Sequence, residues 1–401
     1  MRLLAALLLS TFALTAYADH HWQWSEKIAI GNTVQPGVFH HLDGSGRKHI
    51  AASSSKVAVV WEDESSTSPQ IYLAEKSFAQ NQFLPAVQLS TGSEAYEPAI
   101  AALASSEFVT VFEQDGAIYA RLLSDRGLGK VVKLSAANAS SASIASQGNN
   151  AFVVWREKHQ NTYRLIVIKL RLENNQLVMS KPCSVETEAL PSPVLKPDIA
   201  VSGSAVFVAW EDRREGHTRL LYSHADTDDL QFSSPENLNE FFSGRNQYDK
   251  GSGVTRLSMT ALAEDELLAA WMDKRRGGKG YGIFAAFGSS DDKSFGPNEK
   301  VHGKKGDEQP HYNPSVAGNS AGDFIVAWDD FRNSDLDIWL SRYNDDDEWG
   351  DDFSPKVASG PGEQSHASVT LDENGGLHLI WISRDDNSSP TGLWYSYGAA
   401  E

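Results

Sequence analysis

Short apolar runs, each ending in an aromatic side chain and then a charged one, recur seven times along this chain. They read VAVVWED (57–63), VTVFEQD (109–115), FVVWREK (152–158), VFVAWEDRR (206–214), LLAAWMDKRR (267–276), IVAWDDFR (325–332) and LHLIWISR (377–384). Runs of this length, rich in β-branched residues and bounded by Gly, Ser, Asn and Asp, predict β-strands. Their anchors, Trp61, Phe112, Trp155, Trp210, Trp271, Trp328 and Trp381, are 43 to 61 residues apart. That spacing suits one four-stranded antiparallel sheet per period. Seven such periods predict an all-β, seven-bladed β-propeller.

Each period resolves into strands A to D. In the sixth, Pro314–Ala317 is A, Phe324–Trp328 is B, Asp337–Ser341 is C and Ser354–Val357 is D. Strand A recurs as HIAAS (49–53), PAIAAL (98–103), ASIAS (142–146), PDIAVS (197–202), RLSMTAL (256–262), PSVAG (314–318) and ASVTL (367–371), usually followed by a hairpin turn. The seventh period ends with strand C, Gly392–Tyr397, and has no D strand after it. Trp24–Ile28 resembles the D-strand segments Phe353–Val357 and Phe232–Glu236, so residues 22–31 are expected to complete the last sheet. Closing the ring removes an exposed edge.

The start of the chain adds a destination. Residues 1–18, MRLLAALLLSTFALTAYA, combine an early Arg, an apolar core and a small-residue ending, the pattern of a cleavable signal peptide. Residues 19–401 are then expected to form one exported, periplasmic or secreted, monomeric propeller domain without a membrane span. The lone Cys183 cannot form an internal disulfide. A net charge of −18 argues against nucleic acid and anionic membranes as partners.

Two stretches carry a family resemblance. VAWEDRREG…LLYSHADTDDLQFSSPENL (208–238) and AAFGSSDDKSFGPNEKV (285–301) resemble the sialidase-like propellers with bacterial neuraminidase repeats, whose Asp-box, S-x-D-x-G-x-x-W/F, joins strands C and D. Lys293 and Asp228 stand near where the Asp-box glycine belongs. The resemblance implies a propeller whose Asp-boxes are structural turns on the face opposite the active site. It further implies a carboxylate clamp of three arginines, an Asp acid/base and a Tyr–Glu nucleophile. The nearest segment to the first arginine's R-I-P motif is Arg47-Lys48-His49-Ile50, without the proline. Tyr395, the nearest to the late tyrosine, falls inside strand C. Seven-bladed polysaccharide lyases, which use Tyr, His and Arg beside a uronate carboxylate, fit the loop inventory equally.

In a propeller the B–C and D–A connections share one face, so Asp63, Asp115, Asp212, Arg213, Asp273, Arg275, Asp330, Arg332 and Arg384 are expected around one mouth. Arginine forks there would suit an anionic sugar. A motif present in nearly every blade more often ties blades together, so departures from the repeat are more informative. These lie in the long D–A segments: Asn239–Val254, with Arg245, Tyr248 and Asp249, and Val301–Tyr312, with His302, Lys304, Lys305, Glu308, His311 and Tyr312. GEQSH (362–366) echoes DEQPH (307–311) and adds Glu363 and His366. The ligand-binding candidates are therefore Arg213, Arg245, Tyr248, Arg275, His311, Arg332 and His366. The ligand expected is an acidic glycan, bound or processed by a glycoside hydrolase or polysaccharide lyase. The alternative is a non-catalytic propeller that binds a protein or glycan in the cell envelope.

No GxSxG elbow, HExxH, Walker loop or CxxC is present, and no cofactor or metal is expected. The acidic run Asn344–Glu348 lacks the alternating ligands and central glycine of a calcium loop. Cleavage after Ala18 would expose Asp19-His20-His21, whose amine, amides and third-position imidazole would suit Cu(II) or Ni(II).

Overall fold

A computed structural model describes residues 22–31 and 38–400, except 187, 189, 192, 215, 241–252, 263–264, 276–279, 344–347, 351 and 387. Residues 1–18, expected to be a signal peptide, and Asp19-His20-His21, Arg245, Tyr248 and Asp249 lie outside the described residues.

The strands pair into seven antiparallel sheets, six in the order A-B-C-D and that of blade 6 in the order A-B-C. Blade 1 has His40–His41 and Ile50–Ala52 as an interrupted A, then Lys56–Asp63, Gln70–Ser77 and Val87–Gln88. Blade 2 has Ala95–Ala102, Phe108–Gln114, Ala117–Ser124 and the pair Gly127–Leu128 and Val132–Lys133. Blade 3 has Ala139–Gln147, Asn150–His159, Thr162–Glu173, then Gln176–Met179 and Cys183–Ser184. Blade 4 has Val194–Ser202, Ala205–Asp212, Arg219–Asp226 and Glu236–Asn237. Blade 5 has Thr255–Ala261, Glu266–Asp273, Gly282–Ser289, then Ser294–Phe295 and Glu299–Lys300. Blade 6 has His311–Gly318, Phe324–Asp330 and Asp337–Arg342, and blade 7 has Glu363–Leu371, Leu377–Arg384 and Gly392–Ala399.

The N-terminal segment closes the ring as expected. Gln23 and Trp24 pair with Ala399 and Gly398, while Ile28 and Ala29 pair with Tyr395 and Trp394. Blade 6 departs from expectation, because Ser354–Val357 is not a strand. Only Phe353 bridges to Leu340; Pro355 has no N–H to add to a ladder, and Lys356–Ala358 turn as a 3-10 helix.

Apolar B strands pack between neighbouring blades, and the six anchor tryptophans are at most 1% exposed, with Phe112 fully buried. The residues after each anchor explain the recurring Trp-x-Asp. Trp61, Trp210, Trp271 and Trp328 donate their indole N–H to Asp63, Asp212, Asp273 and Asp330, at 2.9 to 3.2 Å. The middle residue reaches the next blade instead: Glu62, Glu211, Met272 and Asp329 accept the backbone N–H of Glu97, Arg256, Asn313 and His366. One side chain thus fixes the blade's own core and its neighbour fixes the next blade.

The two segments that resemble Asp-boxes are turns on the opposite face. Lys293 (φ 55) and Leu230 (φ 51) hold the left-handed conformation a glycine would provide. Leu230, two residues beyond Asp228, is therefore the glycine equivalent in blade 4.

Candidate functional site: the plugged central mouth

Strand A lines the central channel, and in six blades it carries a bulge at the same register position. The bulge residue is left-handed each time: Glu97, Ser141, Lys196, Arg256, Asn313 and His366, with φ between 43 and 59°. Arg47 (φ 53) is the blade 1 counterpart. Bulges re-aim side chains, here toward the axis on the B–C/D–A face. Seven strained positions therefore ring one mouth, and their side chains differ from blade to blade while their backbone does not.

Blade 1 adds a plug. Between His41 and Ile50 its A strand leaves the sheet as an excursion containing the 3-10 turn Ser45–Arg47. Ser258 of blade 5 donates to the Gly46 carbonyl (2.9 Å) and Ser368 of blade 7 to that of Arg47 (2.6 Å). Lys48 Nζ lies 2.7 Å from the fully buried Asp198 of blade 4. Gly46 is required here: its φ is 69°, and a Cβ would collide with the Asp198 carboxylate. Below the plug the channel is a cavity of about 270 Å³ lined largely by small strand-A residues.

The plug carries Asp43 to the axis. Arg256 Nη1 donates to Asp43 Oδ1 at 3.2 Å, and His366 Nε2 lies 3.9 Å from the same oxygen. Burial alone would raise the Asp43 carboxyl, but His366, Arg47, Arg256 and Lys196 outweigh it and hold it well below the usual carboxylate range. Burial is the main reason that His366 loses its proton more readily than a free imidazole, with Asp329 opposing and Arg47 adding to the effect. Burial and the adjacent Arg256 depress the Lys196 ammonium. The side chains of Asp43, Arg256 and His366 remain 41%, 30% and 31% exposed.

Glu113 is the carboxylate that the repeat leaves unused. It follows the anchor Phe112, where Glu62, Glu211 and Asp329 each hold a backbone N–H of the next blade, yet among the described residues Glu113 receives none. Burial without that donor, with Glu97 nearby and Arg156 only partly compensating, pushes its pKa up to about 7. A carboxyl that keeps its proton near neutrality is equipped for general acid work.

The candidates from sequence fall into three groups. His366 sits at the mouth. Arg275 and Arg332 are tied to Asp273 and Asp330 through Nε and Nη2 and reach Asn298 and Asp352, so they belong to the blade framework. In blade 4 that framework arginine is Arg214, whereas Arg213 is exposed and donates to Thr218. His311 is fully buried, with Nδ1 2.9 Å from Asp330 and Nε2 2.9 Å from the Gly306 carbonyl. The apparent echo between DEQPH and GEQSH hides a register shift, because His311 pairs with Asp330 in the sheet whereas His366 occupies a bulge, as Asn313 does.

Asp43, Glu97, Glu113, Lys196 and Arg256 were not among those candidates. A sequence signal for three of the ring positions does exist: Glu97, Lys196 and Asn313 each precede the recurring strand-A proline, at a position that changes charge from one period to the next. Among the described residues no cluster of His, Cys, Asp and Glu is arranged to hold a metal ion.

No family model matches the sequence. No curated protein matches it either. Solved structures do match. A polysaccharide lyase, Uly1, is similar at TM-score 0.56 and 8% identity, over 90% of this chain and 91% of that one. A protein of unknown function from Dyadobacter fermentans is similar at TM-score 0.51 and 9% identity, over 94% and 99%. The NanB sialidase from Streptococcus pneumoniae is similar at TM-score 0.47 and 10% identity, over 90% and 70%. At such identities the likeness concerns fold, and the fold is a seven-bladed β-propeller.

Proposed function

We propose that this protein recognises an acidic carbohydrate at the plugged mouth and does so outside the cytoplasm, where its N-terminal 18 residues would direct it. The observation that carries the reading is the pair Lys196 and Arg256, part-exposed cations on adjacent blades beside Asp43 and His366. Arg256 engages Asp43 through Nη1, and the rest of its fork can meet a sugar carboxylate. Asp43, Glu97 and Asn313 supply acceptors and donors for hydroxyls. The names borne by similarly folded propellers, a polysaccharide lyase and a sialidase, make carbohydrate the first class to test.

Titration calorimetry with uronate-containing and neutral oligosaccharides tests this. Acidic oligosaccharides are expected to bind preferentially, and Arg256→Ala to weaken them by about 1–3 kcal/mol, the range for losing a charged hydrogen bond. Equal binding of both kinds, or affinity indifferent to Arg256 and Lys196, would reject the reading.

Glu113 favours processing over binding alone. On that reading Glu113→Gln retains the oligosaccharide but stops product formation followed by mass spectrometry. Unsaturated products identify a lyase and saturated ones a hydrolase. Binding without products from the unaltered protein returns the propeller to a purely recognising role.

A further inference from the structure

In each blade a C-strand residue lies opposite the anchor aromatic, and in five blades that residue is itself aromatic: Tyr72, Tyr119, Phe284, Trp339 and Trp394. Four of these rings are covered by a cation from the chain itself. Arg275 Cζ stands 4.2 Å from the Phe284 centroid and Arg332 Cζ 3.9 Å from that of Trp339. Lys27 Nζ stands 4.5 Å from Trp394, and Lys133 Nζ 5.7 Å from Tyr119. Among the described residues, no lysine or arginine lies over Tyr72 of blade 1.

The carboxylate beneath that ring lacks the guanidinium that its counterparts hold. Asp273 and Asp330 each accept an indole N–H and two guanidinium N–H groups on one oxygen. Asp63, at the same place in blade 1, accepts the Trp61 indole on Oδ2 and only the Ser65 amide and hydroxyl on Oδ1. Ser65 stands where blades 5 and 6 have arginine. Ala86 stands where blade 5 has Asn298, the residue that receives the far end of Arg275. Two small residues thus replace two large ones. The result is a cavity of about 240 Å³ lined by Val38, His40, Trp61, Asp63, Ser65, Tyr72 and Ala86. Asp63 is only 5% exposed, so its charge is largely withdrawn from water; no lysine or arginine pairs with it among the described residues, and burial holds the imidazole of its cross-strand neighbour His40 below its ordinary pKa against the pull of Asp63.

Blade 4 has a cavity of similar size at the same place but is a different case. Arg214 already occupies Asp212 and turns outward to Glu186, and the C-strand residue is Leu221. Only in blade 1, among the described residues, do a bare aromatic face and a carboxylate lacking its guanidinium meet at an open cavity.

We propose that the blade 1 cavity is a binding site for a guanidinium group supplied from outside the chain. The planar fork would meet Asp63 Oδ2 and lie over Tyr72, as Arg275 and Arg332 do on their own blades. The strongly acidic net charge of the protein favours approach of a cation. The site lies on the mouth face, outward of the carbohydrate-binding ring, and does not depend on that ring's function.

The test is titration calorimetry of the full chain with Nα-acetyl-arginine-amide, alongside the uncharged citrulline analogue. The arginine probe is expected to bind saturably and the citrulline probe not to. Asp63→Asn is expected to weaken the arginine probe at least tenfold. Ser65→Arg with Ala86→Asn, which rebuilds the blade 5 arrangement, is expected to abolish binding with an unchanged or raised melting temperature. No saturable binding by the unaltered, folded protein would overturn the proposal, as would undiminished binding by the rebuilt variant. Comparing agmatine with a blocked Gly-Arg-Gly peptide then separates the sources. Binding of agmatine alone identifies a free small cation, and equal binding of the peptide identifies an arginine of a polypeptide partner.

Discussion

Blades 6 and 1 are built on the same strands and put them to different use. In blade 6, Asp330 gathers Trp328, His311, the Arg332 amide and the Arg332 guanidinium, and Arg332 continues to Asp352. Each buried charge has an opposite charge beside it. In blade 1 the same aspartate, Asp63, has lost the arginine, strand A is broken, and the freed residues enter the channel as a plug. Repetition marks what holds the ring together, whereas interruption marks where the molecule can do something its other blades cannot.

The contrast is sharpest in stability. Asp330→Ala leaves Arg332 and His311 buried without their carboxylate and is expected to cost about 3–5 kcal/mol in denaturant unfolding. Asp63→Ala strands an indole N–H and a serine, and is expected to cost about 1–3 kcal/mol. Equal losses would mean that Asp63 has a cationic partner and that the blade 1 cavity is not vacant.

A second experiment addresses the plug. Gly46→Ala combines a left-handed backbone with a clash against Asp198 and is expected to cost about 1–3 kcal/mol. Because Gly46 neighbours Arg47 and the plug carries Asp43, oligosaccharide affinity should fall with it. A variant of normal affinity would show that the plug does not position Asp43.

Much of the fold was readable from the chain because its cause is local and repeated. An apolar strand ending in an aromatic anchor appears in every period, followed in four of them by x-Asp, and closure by Trp24–Ile28 follows from likeness to other D strands. The site was less readable for a physical reason. Its residues converge through register rather than through sequence proximity, one bulge in each of six blades and the plug in the first, and a one-residue shift exchanges a buried position for the mouth. His311 and His366 look alike in sequence and differ in that register. The long loops are conspicuous departures from the repeat in sequence, whereas the varying bulge position within strand A is a change of one residue per period.

Glu113 yields a pH prediction with a definite sign. Its pKa rises from an ordinary 4.5 to about 7 on folding, so between those values the native state holds the proton and the unfolded state does not. Stability from this group is complete below about 4.5 and is lost as pH rises through about 7. Thermal melting of Glu113→Gln should therefore lack that decline, gaining on the unaltered protein as pH goes from 5 to 8. Glu97, Glu62, Glu94 and Arg156 act on the same carboxyl, so Arg156→Ala should move the midpoint upward. Parallel melting curves for Glu113→Gln and the unaltered protein would show that Glu113 titrates normally.

The smallest expected difference separates two adjacent arginines. Arg214 donates Nε and Nη2 to Asp212 and extends Nη1 and Nη2 to Glu186 at 3.0 and 2.9 Å, joining the blade 4 framework to the segment before it. Among the described residues Arg213 makes one bond, Nε to Thr218 at 3.2 Å, in solvent. Exposed ion pairs contribute little, and the Arg214 side chain is 32% exposed, so Arg214→Ala is expected to cost only about 1 kcal/mol. Arg213→Ala should fall within about 0.5 kcal/mol of the unaltered protein, as surface substitutions do. A matched pair of unfolding curves is sufficient. If Arg213→Ala were the more destabilising, the assignment of the blade 4 framework to Arg214 would fail, and with it the view that blades 4, 5 and 6 share one device that blade 1 lacks.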